Sequence, residues 1–180
     1  MIVSHEHKFI YLANGKTGTT SFQNQFKKYN EYKIEKHATL SMLDIDYSDY
    51  FIFCFVRNPW DRIVSVYLQC GGKGGGGSPY REYTRKLSRS HSFNDFLKIL
   101  KDDDDDFWEE QGQSRYYLDK GKLIDFVGRF ENLYSDLKKV CNKLNIECVD
   151  LPHLNKKQNK HYTEYYNDET RELVAKKYSK

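Results

Sequence analysis

The chain has 180 residues, an ordinary length for one domain, and hydrophobic residues make up 38% of it, enough to close a core. Its formal net charge of +3 is weak, which argues against a general polyanion binder and against nucleic acid as a partner. No apolar run approaches the length of about 20 residues that a membrane span needs, and the first predicted strand begins too early for a signal peptide. We therefore predict one domain over residues 1–180, in the cytoplasm.

The first chemical motif follows a short apolar strand predicted over Phe9–Leu12. The next turn is rich in hydrogen-bond donors and leads into a helix: Lys16, Thr17, Gly18, Thr19, Thr20 and Ser21. Unpaired N–H groups and the dipole at a helix N-terminus favour an anion, to which the lysine and four hydroxyls add donors. The full signature of P-loop nucleotide hydrolases is missing, because Ile10 occupies the place of its first glycine. The residues predict an anion-binding turn and leave the anion open.

The second motif follows an unbroken apolar run, Phe51–Val56, which is typical of a central parallel strand. Pro59 suits the first turn of the helix that comes next. Arg57 is therefore expected in the turn between the strand and the helix, with Ser65 about two helical turns further on. Arg57 serves either a ligand or an ion pair with Asp61 or another carboxylate. This strand, like the first, delivers positive charge to its C-terminal end.

Together the two motifs resemble those of the PAPS-dependent sulfotransferases, in the branch of the carbohydrate and heparan sulfate 2-O-sulfotransferases. In that family a Lys-Thr-Gly-(Thr/Gly)-Thr-Ser turn holds the 5′-phosphosulfate end of 3′-phosphoadenosine 5′-phosphosulfate (PAPS). An Arg-(Asn/Asp)-Pro-x-x-Arg-x-x-Ser segment holds its 3′-phosphate. Residues 16–21 and 57–65 match both patterns in order, and residues 128–133, 151–156 and 165–170 are also similar. One departure is Gly15, where the family commonly has proline.

The resemblance implies PAPS as the donor, adenosine 3′,5′-bisphosphate as the product, and no metal. Sulfuryl transfer needs an acceptor oxygen in line with the sulfur, a base, and positive charge on the leaving oxygen. Lys16 suits the last task, because its ammonium is a point charge on a flexible stem. The expected cofactor-binding residues are Lys16, Thr17, Gly18, Thr19, Thr20 and Ser21 at the 5′ end, and Arg57 and Ser65 at the 3′-phosphate.

His37 is the expected catalytic base. It lies between the two cofactor motifs, after a short strand predicted over Tyr32–Glu35, and a histidine in this region serves as the base in the resembling 2-O-sulfotransferases. Histidine titrates near neutral pH, which suits this work. Two alternatives remain: His37 is hydrogen-bonded only for structure, or Glu35 is the base, since related sulfotransferases use glutamate.

The second half of the chain is predicted to be mainly helical. A short strand over Leu123–Val127 precedes an amphipathic helix over residues 131–145, and Asn167 caps a final helix. These elements predict a three-layer, P-loop-like α/β domain with a central parallel sheet flanked by helices and the ligand at the C-terminal strand ends.

Three compositional features are not assigned to the cofactor site. Residues 70–79 have the composition of a flexible linker, natural or engineered. The aspartates 102–106 are expected to form a solvated loop, because a contiguous run cannot point all its carboxylates at one ion. The four cysteines form no zinc pattern, and Cys54 is expected to pack as a small hydrophobe in the central strand.

The sequence thus predicts an enzyme that moves a sulfuryl group from PAPS to a hydroxyl acceptor, with a carbohydrate favoured over a small alcohol. One alternative is a P-loop kinase that uses ATP, but such an enzyme needs a Mg²⁺-holding carboxylate at a strand end, where this chain has Arg57. A second alternative is a non-catalytic nucleotide-binding module. The acceptor and the oligomeric state stay open.

Overall fold

A computed structural model describes residues 1–32, 37–70, 92–102, 112–148 and 160–178. The chain divides into two compact units, one formed by Met1–Arg57 with Gln113–Lys157 and the other by Asn58–Gly112 with Gln158–Lys180. Several predicted features lie wholly or partly outside the described residues: the strand Tyr32–Glu35 with the alternative base Glu35, the glycine-rich segment 70–79, the aspartates 102–106, and the stretch 151–156.

The elements follow one another with short connections where the chain is described. The strands are β1 (Ile2–Ser4), β2 (Phe9–Leu12), β3 (Phe51–Val56), β4 (Leu118–Asp119), β5 (Lys122–Leu123) and β6 (Phe126–Arg129). The α-helices are α1 (Thr19–Phe26), α2 (Pro59–Cys70), α3 (Phe93–Asp102), α4 (Ser114–Tyr117), α5 (Leu133–Leu144) and α6 (Asp168–Lys177). Short 3-10 helices span Lys27–Tyr29, Leu40–Met42, Phe130–Asn132 and Tyr162–Tyr165.

The first unit is built on a sheet with the strand order β1-β2-β3-β6. β1 is antiparallel to β2, whereas β2, β3 and β6 are parallel. Leu12 lies opposite Cys54, and Val56 lies opposite Arg129, so the three parallel strands end at one edge. The turns that follow β2, β3 and β6 therefore meet at that edge, which is where open α/β sheets bind ligands.

Both faces of this sheet are covered. Side chains alternate along a strand, so β2 and β3 each supply a different set to each face. One set packs against α1 and α5: Phe9, Tyr11, Phe53 and Phe55, with Phe22, Phe26, Leu137 and Val140. The opposite set packs against α4 and the turn at Leu40: Ile10, Leu12, Ile52 and Cys54, with Leu40 and Tyr116. This arrangement confirms the predicted three-layer α/β class, and Cys54 packs in the core as expected.

The strand predicted over Leu123–Val127 has the wrong bounds, because β6 spans Phe126–Arg129. Leu123 instead ends a small hairpin, in which Leu118 pairs with Leu123 and Asp119 pairs with Lys122. Lys120 and Gly121 have φ angles of 49° and 79°, as a tight hairpin turn requires. Asp125 then accepts a 2.7 Å hydrogen bond from the backbone N–H of Ile52, so the chain joins the sheet only at Phe126.

The second unit packs α2, α3, α6 and the 3-10 helix Tyr162–Tyr165 around an aromatic cluster. α2 begins at Pro59 as predicted, and Asn58 Oδ1 accepts hydrogen bonds from the N–H groups of its first turn. The predicted cap of the last helix is confirmed as well, because Asn167 Oδ1 accepts a 2.8 Å bond from the N–H of Thr170.

Among the described residues, none of the helices has both the length and the apolar character that crossing a bilayer requires. The cytoplasmic location stays a prediction.

Candidate functional site

The turn between β2 and α1 has a backbone that favours an anion. Gly18 has φ 83° and occupies the N-cap position of α1, and its carbonyl accepts from the N–H groups of Ser21 and Phe22. A Cβ on Gly18 would lie 3.5 Å from the Phe130 ring, an ordinary contact, so the positive φ and not a lack of space favours glycine here. Lys16 is also left-handed, at φ 66°, which costs a non-glycine residue about 1–2 kcal/mol. Lys8 and Lys120 are left-handed as well, so the conformation alone does not distinguish Lys16; its place at the N-terminus of α1 does.

The hydroxyl groups of the turn are not equivalent. Thr17 is fully buried, and its hydroxyl donates a 2.8 Å hydrogen bond to the backbone carbonyl of Asn14. Thr17 therefore closes the turn with its side chain, and only its backbone N–H can serve an anion. Thr20 is exposed and Ser21 is half-buried, so both can present a hydroxyl, while Thr19 is buried.

Arg57 comes directly after β3 and reaches the same turn. Its Nη1 donates a 3.1 Å hydrogen bond to the backbone carbonyl of Lys16. The guanidinium carbon lies 4.2 Å from the centroid of the Phe130 ring, a stacked cation–π contact. The two motifs that the sequence predicts to share a ligand are thus in direct contact.

His37 is held beside the start of the turn. Its Nδ1 lies 2.7 Å from the backbone carbonyl of Ala13, and its own carbonyl accepts a 3.2 Å bond from the Tyr116 hydroxyl. A carbonyl oxygen can only accept, so Nδ1 carries the hydrogen and Nε2 is the basic nitrogen of the neutral ring. This is the tautomer that a general base needs, although the same bond would also suit a structural histidine.

The remaining predicted residue, Ser65, lies half-buried on α2 in the second unit. Arg62, the second arginine of the same motif, is only 1% exposed in that unit. The contribution of Ser65 to the 3′-phosphate stays a prediction.

An open groove of about 590 Å³ lies elsewhere in the first unit. It is lined by residues at the start of β2 and β3 and at the end of α5, among them Lys8, Asp49 and Lys143. These strand starts form the edge opposite to the turn. Its position is unlike that of ligands in open α/β sheets, which bind beyond the C-terminal strand ends.

The model of the sulfotransferase family matches the chain over residues 1–180. The chain belongs to the sulfotransferase family.

Three known proteins are similar to this chain in sequence, at 23–31% identity. An uncharacterized protein of Archaeoglobus fulgidus is 31% identical over 101 residues, which cover 56% of this chain and 72% of that protein. Carbohydrate sulfotransferase 14 of Danio rerio is 23% identical over 80% of this chain, and that of Mus musculus is 25% identical over 78%. The chain spans 48% and 45% of the length of these two carbohydrate sulfotransferases. No solved structure gives a significant match to the chain.

Two polar residues of this candidate site were not predicted from the sequence. Asn14 is fully buried, and its Nδ2 donates 3.0 Å bonds to the carbonyl of Phe55 and to Gln113 Oε1. Gln113 in turn bonds the backbone of Arg57. A polar residue just after the apolar run Phe9–Ala13 was a signal for Asn14, whereas Gln113 lies outside any motif.

The described residues fit a polyanionic cofactor. A helix N-terminus, a left-handed lysine and a stacked arginine meet in one turn, and each favours negative charge. The arginine that contacts this turn offers the planar donor fork that suits a phosphate group.

Proposed function

We propose that this protein transfers a sulfuryl group from PAPS to a hydroxyl acceptor. The observation that carries the proposal is the hydrogen bond from Arg57 Nη1 to the carbonyl of Lys16, because it joins the two motifs at one helix N-terminus. Family membership over residues 1–180 supports this chemistry, and since the match spans both compact units, it also supports one sulfotransferase domain.

Each residue has a distinct task in the proposed transfer. The bound PAPS supplies the sulfuryl group, whose bond to the 5′-phosphate oxygen breaks as the bond from the acceptor oxygen forms. Lys16 places its ammonium on the oxygen that leaves with the 5′-phosphate. His37 takes the proton of the acceptor hydroxyl at Nε2, while its Nδ1–H stays bonded to Ala13. Arg57 binds the 3′-phosphate.

The N-terminus of α1 completes the donor side. The backbone N–H groups of residues 17–20 and the hydroxyls of Thr20 and Ser21 bind the 5′-phosphate that is not transferred. The proposed transfer uses no metal. Arg57 follows β3 at the place where a kinase would have a magnesium-binding carboxylate.

We further propose a carbohydrate as the acceptor. The named relatives are carbohydrate sulfotransferases, at 23% and 25% identity and about half their length. Assignment to the 2-O-sulfotransferase branch is a finer proposal, and it depends on His37 as the base.

Calorimetric titration with adenosine 3′,5′-bisphosphate, ADP and ATP, each with and without Mg²⁺, tests the donor site. We expect the bisphosphate to bind most tightly, with no dependence on Mg²⁺. Arg57→Ala should weaken this binding about 10- to 100-fold, because hydrogen bonds to a charged group are lost. A preference for ATP with Mg²⁺ would instead support the kinase.

The same proteins then separate binding from turnover. With labelled PAPS and desulfated glycosaminoglycan chains as a carbohydrate acceptor, His37→Ala should bind the bisphosphate normally but transfer about 100-fold more slowly or worse, as expected for loss of a general base. Lys16→Ala should also lose transfer, with a weaker effect on binding. Bisphosphate binding without any transfer to carbohydrate or to small alcohols would favour the non-catalytic module, and full activity of His37→Ala would refute its role as the base.

A further inference from the structure

The Gln113 side chain makes three hydrogen bonds at the edge where the parallel strands end. Its Oε1 accepts from the backbone N–H of Arg57 at 2.9 Å and from Asn14 Nδ2 at 3.0 Å. Its Nε2 donates to the carbonyl of Arg57 at 2.7 Å. All three distances are those of well-formed hydrogen bonds.

These contacts extend the order of β3 by one residue. β3 ends at Val56, which is the last residue paired with β6, so Arg57 lies just beyond the ladder. The Gln113 amide accepts from the N–H and donates to the carbonyl of the same residue, as an adjacent strand does. Fixing both backbone groups of Arg57 fixes the direction in which its side chain leaves the chain.

The third bond connects Arg57 to the phosphate-binding turn. Asn14 bonds Gln113 and the Phe55 carbonyl through Nδ2, and its own carbonyl accepts from the Thr17 hydroxyl. Asn14 is fully buried, and its bonds to Phe55 and Thr17 are shielded from water. Through its bond to Asn14, the Gln113 side chain thus links the end of β3 to the start of the turn in one hydrogen-bond network.

We propose that Gln113 is a positioning residue that orients Arg57 toward the 3′-phosphate of the cofactor. The inference rests on the proposed function, since it assigns the 3′-phosphate to Arg57. Gln113 does not contact the reacting atoms in this proposal. It acts through the backbone of Arg57 and through Asn14.

A merely structural role and a positioning role predict different results. Loss of a structural contact lowers stability and weakens every nucleotide to a similar extent. Loss of a positioning contact selectively weakens ligands that carry a 3′-phosphate. The informative quantity is therefore the ratio of the dissociation constant of adenosine 5′-monophosphate to that of adenosine 3′,5′-bisphosphate.

Gln113→Met is the main variant, because it keeps the length of the side chain and removes its amide. We expect the ratio to fall about tenfold, with binding of the monophosphate little changed. Arg57→Ala gives the ratio for complete loss of the arginine, and adding Gln113→Met to it should change the ratio no further. Gln25→Met is the control: Gln25 lies in the first unit as Gln113 does, is buried where Gln113 is half-buried, and its Nε2 donates a 2.7 Å bond to the carbonyl of Glu147, next to Cys148 and away from the turn.

The outcomes are separable. If the wild-type protein does not bind the bisphosphate, the proposed function fails and takes this inference with it. If the wild type binds but Gln113→Met keeps the wild-type ratio, or if Gln25→Met lowers it equally, the positioning role is overturned while the proposed function stands. Should Gln113→Met fail to fold, Gln113→Asn keeps a neutral amide but is one methylene shorter, which withdraws the amide from the backbone of Arg57 without adding charge. An unchanged ratio in that variant would overturn the proposal as well.

Discussion

At the scale of single residues, Gly128 is a position in β6 where the sheet leaves no space for a side chain. It lies opposite Phe55 of β3, and a Cβ on Gly128 would approach three atoms of the Phe55 ring to 2.4–2.9 Å. That ring stacks on Phe22 of α1, with the centroids 4.1 Å apart. Phe55 is therefore confined between the sheet and α1, the helix that follows the β2–α1 turn.

Gly128→Ala should destabilise the fold by about 1–3 kcal/mol, as overpacking of a dense core does. Urea denaturation measures the loss. The double variant Gly128→Ala with Phe55→Leu should show a favourable coupling, because a smaller side chain relieves the clash. A Gly128→Ala protein as stable as the wild type would show that the Phe55 ring can move aside at no cost.

At the scale of elements, the β2–α1 turn combines backbone strain with the lysine that the proposed mechanism uses. Lys16 and Gly18 both have positive φ, which glycine adopts without strain and lysine does not. The fold thus tolerates an unfavourable conformation at the residue to which the proposed mechanism assigns the leaving oxygen.

Two variants that both remove the lysine side chain separate this strain from the charge. Lys16→Gly removes the Cβ and with it the strain of the left-handed backbone, whereas Lys16→Ala keeps that strain. We therefore expect the glycine variant to be more stable by about 1 kcal/mol. Thermal unfolding of the two variants checks this difference, which amounts to several degrees for a protein of this size. If the alanine variant were equally or more stable, the strain at Lys16 would be excluded.

The elements that could be predicted are those with a strong local pattern. The strands Phe9–Leu12 and Phe51–Val56 have the predicted bounds, because each is a continuous apolar run. The helix predicted over residues 131–145 spans Leu133–Leu144, preceded by a 3-10 turn. The hairpin of β4 and β5 was missed, because strands of two residues are too short to show a period.

The site was predictable to the same extent. Lys16 and Arg57 lie in recognisable motifs and His37 lies in the segment between them, and the structure brings all three to the β2–α1 turn. Gln113 acts on Asn14 across 99 residues and on Arg57 across 56, and such long-range contacts leave no local pattern. The hydrogen bonds that hold the motif residues in place could therefore not be predicted from the sequence.

At the scale of the whole molecule, the core contains titratable groups on both faces of its sheet. Cys54 of β3 lies on one face, and Tyr11 of β2 and Cys141 of α5 lie on the other; all three are fully buried. Burial raises the pKa of the Cys54 thiol and of the Tyr11 hydroxyl well above their usual range. Burial and a hydrogen bond with Cys148 raise the pKa of Cys141 to about 12. The folded state therefore favours the neutral thiols.

This preference makes stability depend on alkaline pH. In the unfolded chain a thiol loses its proton near pH 8.5, whereas in the folded protein Cys54 and Cys141 keep theirs to much higher pH. Their contribution to stability is complete below about pH 8.5, and each thiol then loses up to about 1.4 kcal/mol per pH unit as the pH rises toward its folded pKa. Urea denaturation at pH 7.5, 8.5 and 9.5 with a reductant should show this decline. The variant with Cys54→Ala and Cys141→Ala starts from a lower stability, because it leaves cavities, but should decline less steeply. Equal slopes in the two proteins would mean that the thiols ionise without unfolding, and so that water reaches them inside the folded core.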